Sequence, residues 1–168
     1  MDDSLDLQDD TTLIRFEGRD EAIPLALLLA QRAKRQICIL GPNIDAILFD
    51  TLEFVECLKN LAISSSRAEI KIIAHKTKFN VQHGHRIIAL AQHLTSSIQL
   101  RTLDSQYSEI QNIVILVDDF AYLKCARTNY YQGTACFYDR FEVRRLQSQF
   151  DDIWVRATAD MSIRRLHL

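Results

Sequence analysis

Glycine is scarce in this chain. Its 168 residues include 4 glycines, 2 prolines and 1 tryptophan. So few glycines leave no glycine-rich loop of the kind that cradles nucleotide phosphates. The four cysteines, at 38, 57, 125 and 136, contain no Cys-x-x-Cys pair. The short-spaced ligands of a zinc site are therefore missing, and neither a metal nor a cofactor is expected. Cys38 falls in an expected strand and Cys57 in an expected helix, as buried reduced thiols do. The longest apolar run, Ala22 to Ala30, is interrupted by Pro24 and is far too short to cross a bilayer. Met1 to Asp10 is acidic, with five aspartates and no basic start, which excludes a signal peptide there. These absences favour the cytoplasm. The formal net charge of -2 means that nucleic-acid binding would need a local basic patch.

What remains is the composition of an ordinary globular domain, 48% hydrophobic and 25% charged. Its length suits one domain with short tails. Residues 1–11 read as a mobile acidic N-terminus and 12–158 as the domain. Residues 159–168 read as a tail docked on it, because Ile163, Leu166 and Leu168 alternate around Arg164-Arg165.

Apolar periodicity gives the order of elements. Leu13 to Glu17 is a short strand. Asp20 is placed to cap a mostly buried helix reaching about Lys34. Gln36 to Leu40 is a strand ended by Gly41-Pro42-Asn43. Asp50 and Glu53 have capping-box spacing, and Phe49 and Phe54 the spacing of a hydrophobic staple. The helix that follows presents Leu52, Val55, Leu58, Leu61 and Ala62 inward until Ser64-Ser65-Ser66 stops it. Glu69 to His75 is a strand and Asn80 to Leu94 a helix, with Gly84, Ile87, Ile88, Ala91 and Leu94 on its inner face. Ile98 to Leu103 alternates as a strand. Asn112 to Val117 is continuously apolar, as central strands covered on both faces are. Asp118-Asp119 turns the chain into Ala121 to Cys125, and Thr134 to Tyr138 adds an edge strand. Asp139 or Arg140 opens a last helix with Val143, Leu146, Phe150, Ile153 and Trp154 inward. The fold class is α/β, a mixed sheet flanked by helices on both faces.

One segment has a known outline. Gln111 to Asp118 has the shape of H-x-K-x-x-x-x-D, the signature of the phospholipase D superfamily. Gln111 stands at the histidine position and Ile113 at the lysine position; Asp118 alone matches. The order of Asn112 to Asp118, the turn, Phe120 to Lys124 and Phe150-x-x-x-Trp154 resembles a single lobe of that family. The family's Gly-Ser-x-Asn segment is replaced by Cys125-Ala126-Arg127-Thr128. Over residues 12–168 the chain is similar to a small bacterial family of that superfamily. The likeness rests on Leu48-Phe49-Asp50 with Glu53-Phe54, on Gly84-His85 opening a helix that ends Leu94-Thr95-Ser96, and on the closing Arg164-Arg165-Leu166-His167-Leu168.

That resemblance implies a partnership with a GNAT-type acetyltransferase. The chain has no acetyl-CoA-binding segment of its own. The resemblance also implies homodimers that pair through the signature face. In such enzymes a histidine attacks phosphorus, a second histidine protonates the leaving group, and lysines hold the nonbridging oxygens. Glutamine cannot form the covalent phosphoenzyme and isoleucine cannot neutralise charge. The first reading is thus a non-catalytic module that binds or regulates, recognising an acetyltransferase, a phosphate-bearing ligand or a nucleic acid. The alternative is a phosphodiesterase or nuclease with non-standard catalytic groups.

Candidate binding residues follow from position. His75-Lys76 closes a strand at its C-terminal end, where α/β proteins bind ligands. His83 and His85 begin a helix, near amides that favour anions, with His85 on its polar side. Two residues apart, they share no helix face, which argues against a metal pair. Arg101, Gln111 and Asp118 are further candidates, the last two from the signature segment. Arg127 with Tyr130 and Tyr131 forms an arginine-plus-aromatic loop suited to stacking. For Asp118-Asp119 the turn itself is the simpler role.

Overall fold

The computed structural model describes residues 10–75, 77–103, 110–127 and 130–160; for residues 78, 79 and 127 it describes the backbone alone. Lys76 and the expectations for the first nine and last eight residues lie outside the described residues. Strand β1 (Ile14–Phe16) leads into α1 (Arg19–Gln31), and β2 (Gln36–Gly41) into α2 (Ala46–Phe49) and α3 (Leu52–Ser64). Strand β3 (Glu69–Ala74) is followed by α4 (Lys78–Gln82), α5 (Arg86–His93) and β4 (Ile98–Thr102). Then come β5 (Ile113–Val117), β6 (Ala121–Arg127), β7 (Gln132–Cys136), α6 (Arg140–Arg156) and β8 (Thr158–Ala159).

The strands form one sheet in the order β1-β7-β6-β5-β2-β3-β4-β8. Strands β2, β3 and β4 run parallel, and every other pairing is antiparallel. The expected central run is in fact central: β5 lies between β6 and β2. Side-chain alternation then divides the core. Ile37, Ile39, Ile70, Ile72, Ile113 and Ile115 face the layer that contains α1, α3 and α5. Cys38, Leu40, Ile73 and Leu116 face α6, which presents Val143, Leu146, Phe150 and Trp154. This is the expected mixed sheet with helices on both faces.

Several local expectations need correction. The cap of α1 is Gly18, not Asp20, and Leu28 of that helix is exposed. Thr51 caps α3 through the Phe54 amide, because Asp50 is drawn into an ion pair with Arg86 (3.1 Å). Phe54 faces inward and Leu52 outward, and Phe49 and Phe54 touch, with ring centroids 5.0 Å apart. The expected helix from Asn80 to Leu94 is two helices. Gly84 has φ 63, which breaks the helix and leaves Gly84 exposed. Strand β7 is not an edge, since β1 pairs outside it. It packs so closely on β6 that a Cβ on Gly133 would lie 1.8 Å from the Lys124 carbonyl oxygen.

Candidate functional site

Register places the chemistry. Gly41, Ala74 and Thr102 are aligned across the three parallel strands, and Ile113 opens β5 opposite the end of β2. Cys125 pairs with Ile113, and Arg127 follows it to pair with Gln132. His75, Gln111 and the backbone of Arg127 therefore share one end of the sheet, with Pro42-Asn43 between them. β5 and β3 flank β2, so Gln111 and His75 stand on strands about 10 Å apart. This is the edge where parallel-strand proteins bind ligands.

At this edge His75 is half-buried, and its Nδ1 lies 3.1 Å from the Leu103 carbonyl oxygen. A carbonyl only accepts, so Nδ1 carries a proton. Nε2 then accepts in the neutral ring and donates in the charged one. Gln111 is exposed. Ile113, at the signature's lysine position, is 1% exposed and belongs to the core. Beside the edge, Asn80 is buried and pins the loop after β2. Its Oδ1 accepts from the Ile44 amide (3.1 Å) and its Nδ2 donates to the Ile44 carbonyl (2.7 Å). The Asp45 carboxylate caps α2 through the Leu48 amide and accepts from the Tyr131 hydroxyl (2.9 Å). Burial, then Asp45, pushes the Tyr131 phenol up. Tyr131 is thus a strut, not a free stacking platform, while Tyr130 is exposed. Sequence reasoning missed Asn80 and Asp45; Asp45 just before an apolar quartet was a readable cap.

Three candidates lie elsewhere. Asp118 is at the opposite end of β5. Its Oδ1 accepts from the Arg35 and Gln36 amides (2.8 Å each) and its Oδ2 from the Lys34 amide (3.0 Å). It holds a left-handed backbone, φ 51, as aspartate tolerates in turns. Arg101 faces α6, with its guanidinium 4.1 Å above the Trp154 ring and donating to the Trp154 carbonyl (2.7 Å). His85 is buried at 2% exposure, not on a polar side. Its Nδ1 accepts from the Ile87 amide (3.1 Å) and caps α5. Burial lowers its pKa against the opposing pull of Asp50 and the Asp45 carbonyl. With Nδ1 accepting, the neutral ring places its proton on Nε2.

A groove of about 620 Å³ lies at the Asp118 end, lined by Arg35, Arg67, Asp119, Arg144 and Asp152 among others. It holds none of the residues of the Gln111 edge. The described residues contain no cluster of three or more His, Cys, Asp or Glu able to hold a metal ion. Nor do they contain a helix long and apolar enough to cross a membrane. No disulfide forms: Cys38, Cys125 and Cys136 are buried and Cys57 is half-buried. Burial raises the Cys38 thiol to about 12.

Comparison with solved structures identifies the fold. Nuc from Salmonella typhimurium, a phospholipase D family member, matches 89% of this chain and 99% of its own, with TM-score 0.60 and 18% identity. NucT from Helicobacter pylori matches 89% of this chain and 99% of its own, with TM-score 0.64 and 13% identity. TrmBL2, an archaeal chromatin protein with a novel mode of DNA binding, matches 88% of this chain, with TM-score 0.64 and 14% identity. The chain spans about half of TrmBL2, 54% of its length. The fold is phospholipase D-like. No curated protein matches the sequence. Residues 18–166 match the family described as a domain of unknown function, DUF7931, and the chain belongs to it.

Proposed function

We propose that this chain is a non-catalytic phospholipase D-like binding module, with its ligand edge formed by His75, Gln111 and the backbone of Arg127. The observation that carries this reading is the division of the signature along β5. Asp118, the residue retained, hydrogen-bonds three backbone amides at one end. Gln111 and Ile113, at the other end, offer neither a nucleophile nor a charge, and Ile113 is packed in the core. Selection on folding explains the aspartate without any reaction to preserve.

The ligand class best suited to this edge is a phosphate-bearing one, held by His75 and by polar backbone at the strand ends. A short single-stranded DNA oligonucleotide, labelled and titrated by fluorescence anisotropy, tests it. Binding that inorganic phosphate competes away and that His75→Ala weakens at least tenfold is expected. Binding unaffected by His75→Ala, or none at all, contradicts the edge assignment. The implied protein partner is a GNAT-type acetyltransferase. Co-purification with the tagged acetyltransferase from the same organism is the expected result, and a clean pull-down without one removes that part of the proposal.

A further inference from the structure

The outer face of α6 is not used by the ligand edge, and its pattern is unusual. Val143, Leu146, Phe150 and Trp154 bury one side of the helix against the sheet. Diametrically opposite, at 100° per residue, runs an exposed stripe. At its ends stand Phe141, 80% exposed, and Val155, 79% exposed. These are the two most exposed large apolar side chains among the described residues. Between them lie Arg144 and Arg145 on the N-terminal half and Asp151 and Asp152 on the C-terminal half, with Ser148 in the middle.

The stripe is complementary to its own reverse. Phe141 and Val155 are equally distant from Ser148 along the helix. So are Arg144 and Asp152, and so are Arg145 and Asp151. Laid antiparallel on a second copy about a two-fold axis through Ser148, each apolar end meets an apolar end and each arginine meets an aspartate. The small serine at the crossing allows the close helix approach, about 8–10 Å between axes. Within the chain, Arg145 is engaged by Glu142 (2.6 Å) and Asp151 by Gln147 (2.9 Å). Arg144 and Asp152 make no ion pair or hydrogen bond among the described residues. They are the charges left for a partner. Both also line the groove at the Asp118 end, which the second copy would cover on its α6 flank.

We propose that the protein forms a two-fold homodimer through antiparallel pairing of α6, centred on Ser148, with Arg144 facing Asp152 of the second copy. The signature edge stays open to its ligand in that arrangement. Sedimentation velocity over a concentration series tests it. A concentration-dependent dimer is expected. Arg144→Asp raises the dimer Kd at least tenfold, and adding Asp152→Arg to that variant restores it to within threefold. Circular dichroism checks that each variant is folded. A monomer at every concentration overturns the proposal and leaves the stripe for a different protein. A dimer indifferent to Arg144→Asp overturns it as well. Cross-linking provides an independent reading that needs no charge change. In a Cys57→Ser background, Ser148→Cys forms a disulfide-linked dimer under mild oxidation and Gln149→Cys, off the stripe, does not. Equal cross-linking at both positions, or none at Ser148→Cys, contradicts pairing about this axis.

Discussion

The two ends of strand β5 have been treated differently. At the Asp118 end a single carboxylate accepts three backbone amides from the segment that starts β2, and the Asp118 amide donates back to the Gln36 carbonyl (2.9 Å). At the Gln111 end the side chains are exposed glutamine, half-buried histidine and buried isoleucine. One end is a set of mutually dependent hydrogen bonds joining residues more than eighty positions apart. The other passes within a few residues from an exposed position, Gln111, to a buried one, Ile113. Removing the Gln111 side chain takes away an exposed group, whereas removing the Asp118 carboxylate takes the acceptor from three backbone amides.

The largest effect that sharpens this contrast comes from the lysine position. Ile113→Lys would bring a charge to a site that is 1% exposed, and should cost about 3 kcal/mol or more in urea unfolding. A neutral outcome would mean that the edge opens far more readily than its packing indicates. Asp118→Ala should cost about 2 kcal/mol by orphaning the Lys34, Arg35 and Gln36 amides, and Asp118→Asn about half as much. Equal stability of both with the parent would erase the structural role of that end. Gln111→Ala, at the exposed end, should stay within about 0.5 kcal/mol.

A smaller effect comes from pH. His85 is buried with its pKa below the ordinary 6.5, so the unfolded chain binds a proton that the folded chain resists. Stability should fall as pH drops below about 6.5 and level off beneath the folded value. His85→Asn keeps a capping acceptor for α5 and should flatten that slope, whatever its effect on stability at pH 7. An unchanged slope would assign the titration to another group. Glu142 acts lower on the scale. The Arg145 hydrogen bond, with Lys124, holds it at about 2, so its contribution disappears only as pH falls from 4.5 toward that value.

Much of this was legible in the sequence where local pattern and tertiary context agree. The continuous apolar run from Asn112 read directly as a central strand, and α6 showed its inner face. Asp118 read as a turn residue, and its reach to β2 is the part that only the sheet order reveals. His85 was misplaced because a helical wheel drawn over an unbroken helix rotates wrongly past Gly84, whose φ of 63 resets the register. Arg101 alternates with Ile98 and Leu100, so its side facing α6 was readable. Its partner Trp154 was not, because the contact is made across the sheet by a helix more than fifty residues on. Asp50 could not be told from Thr51 as a cap without knowing that Arg86 would claim the aspartate.

The central claim is that the lobe keeps its architecture without the phosphodiester chemistry. Turnover of bis(p-nitrophenyl) phosphate by the purified chain, measured beside Gln111→His with Ile113→Lys, tests it most directly. Release of nitrophenol no faster than in buffer is expected from the parent and from the double variant, because the Gly-Ser-x-Asn segment is also replaced. Turnover by the parent that disappears in His75→Ala or His85→Ala would contradict it.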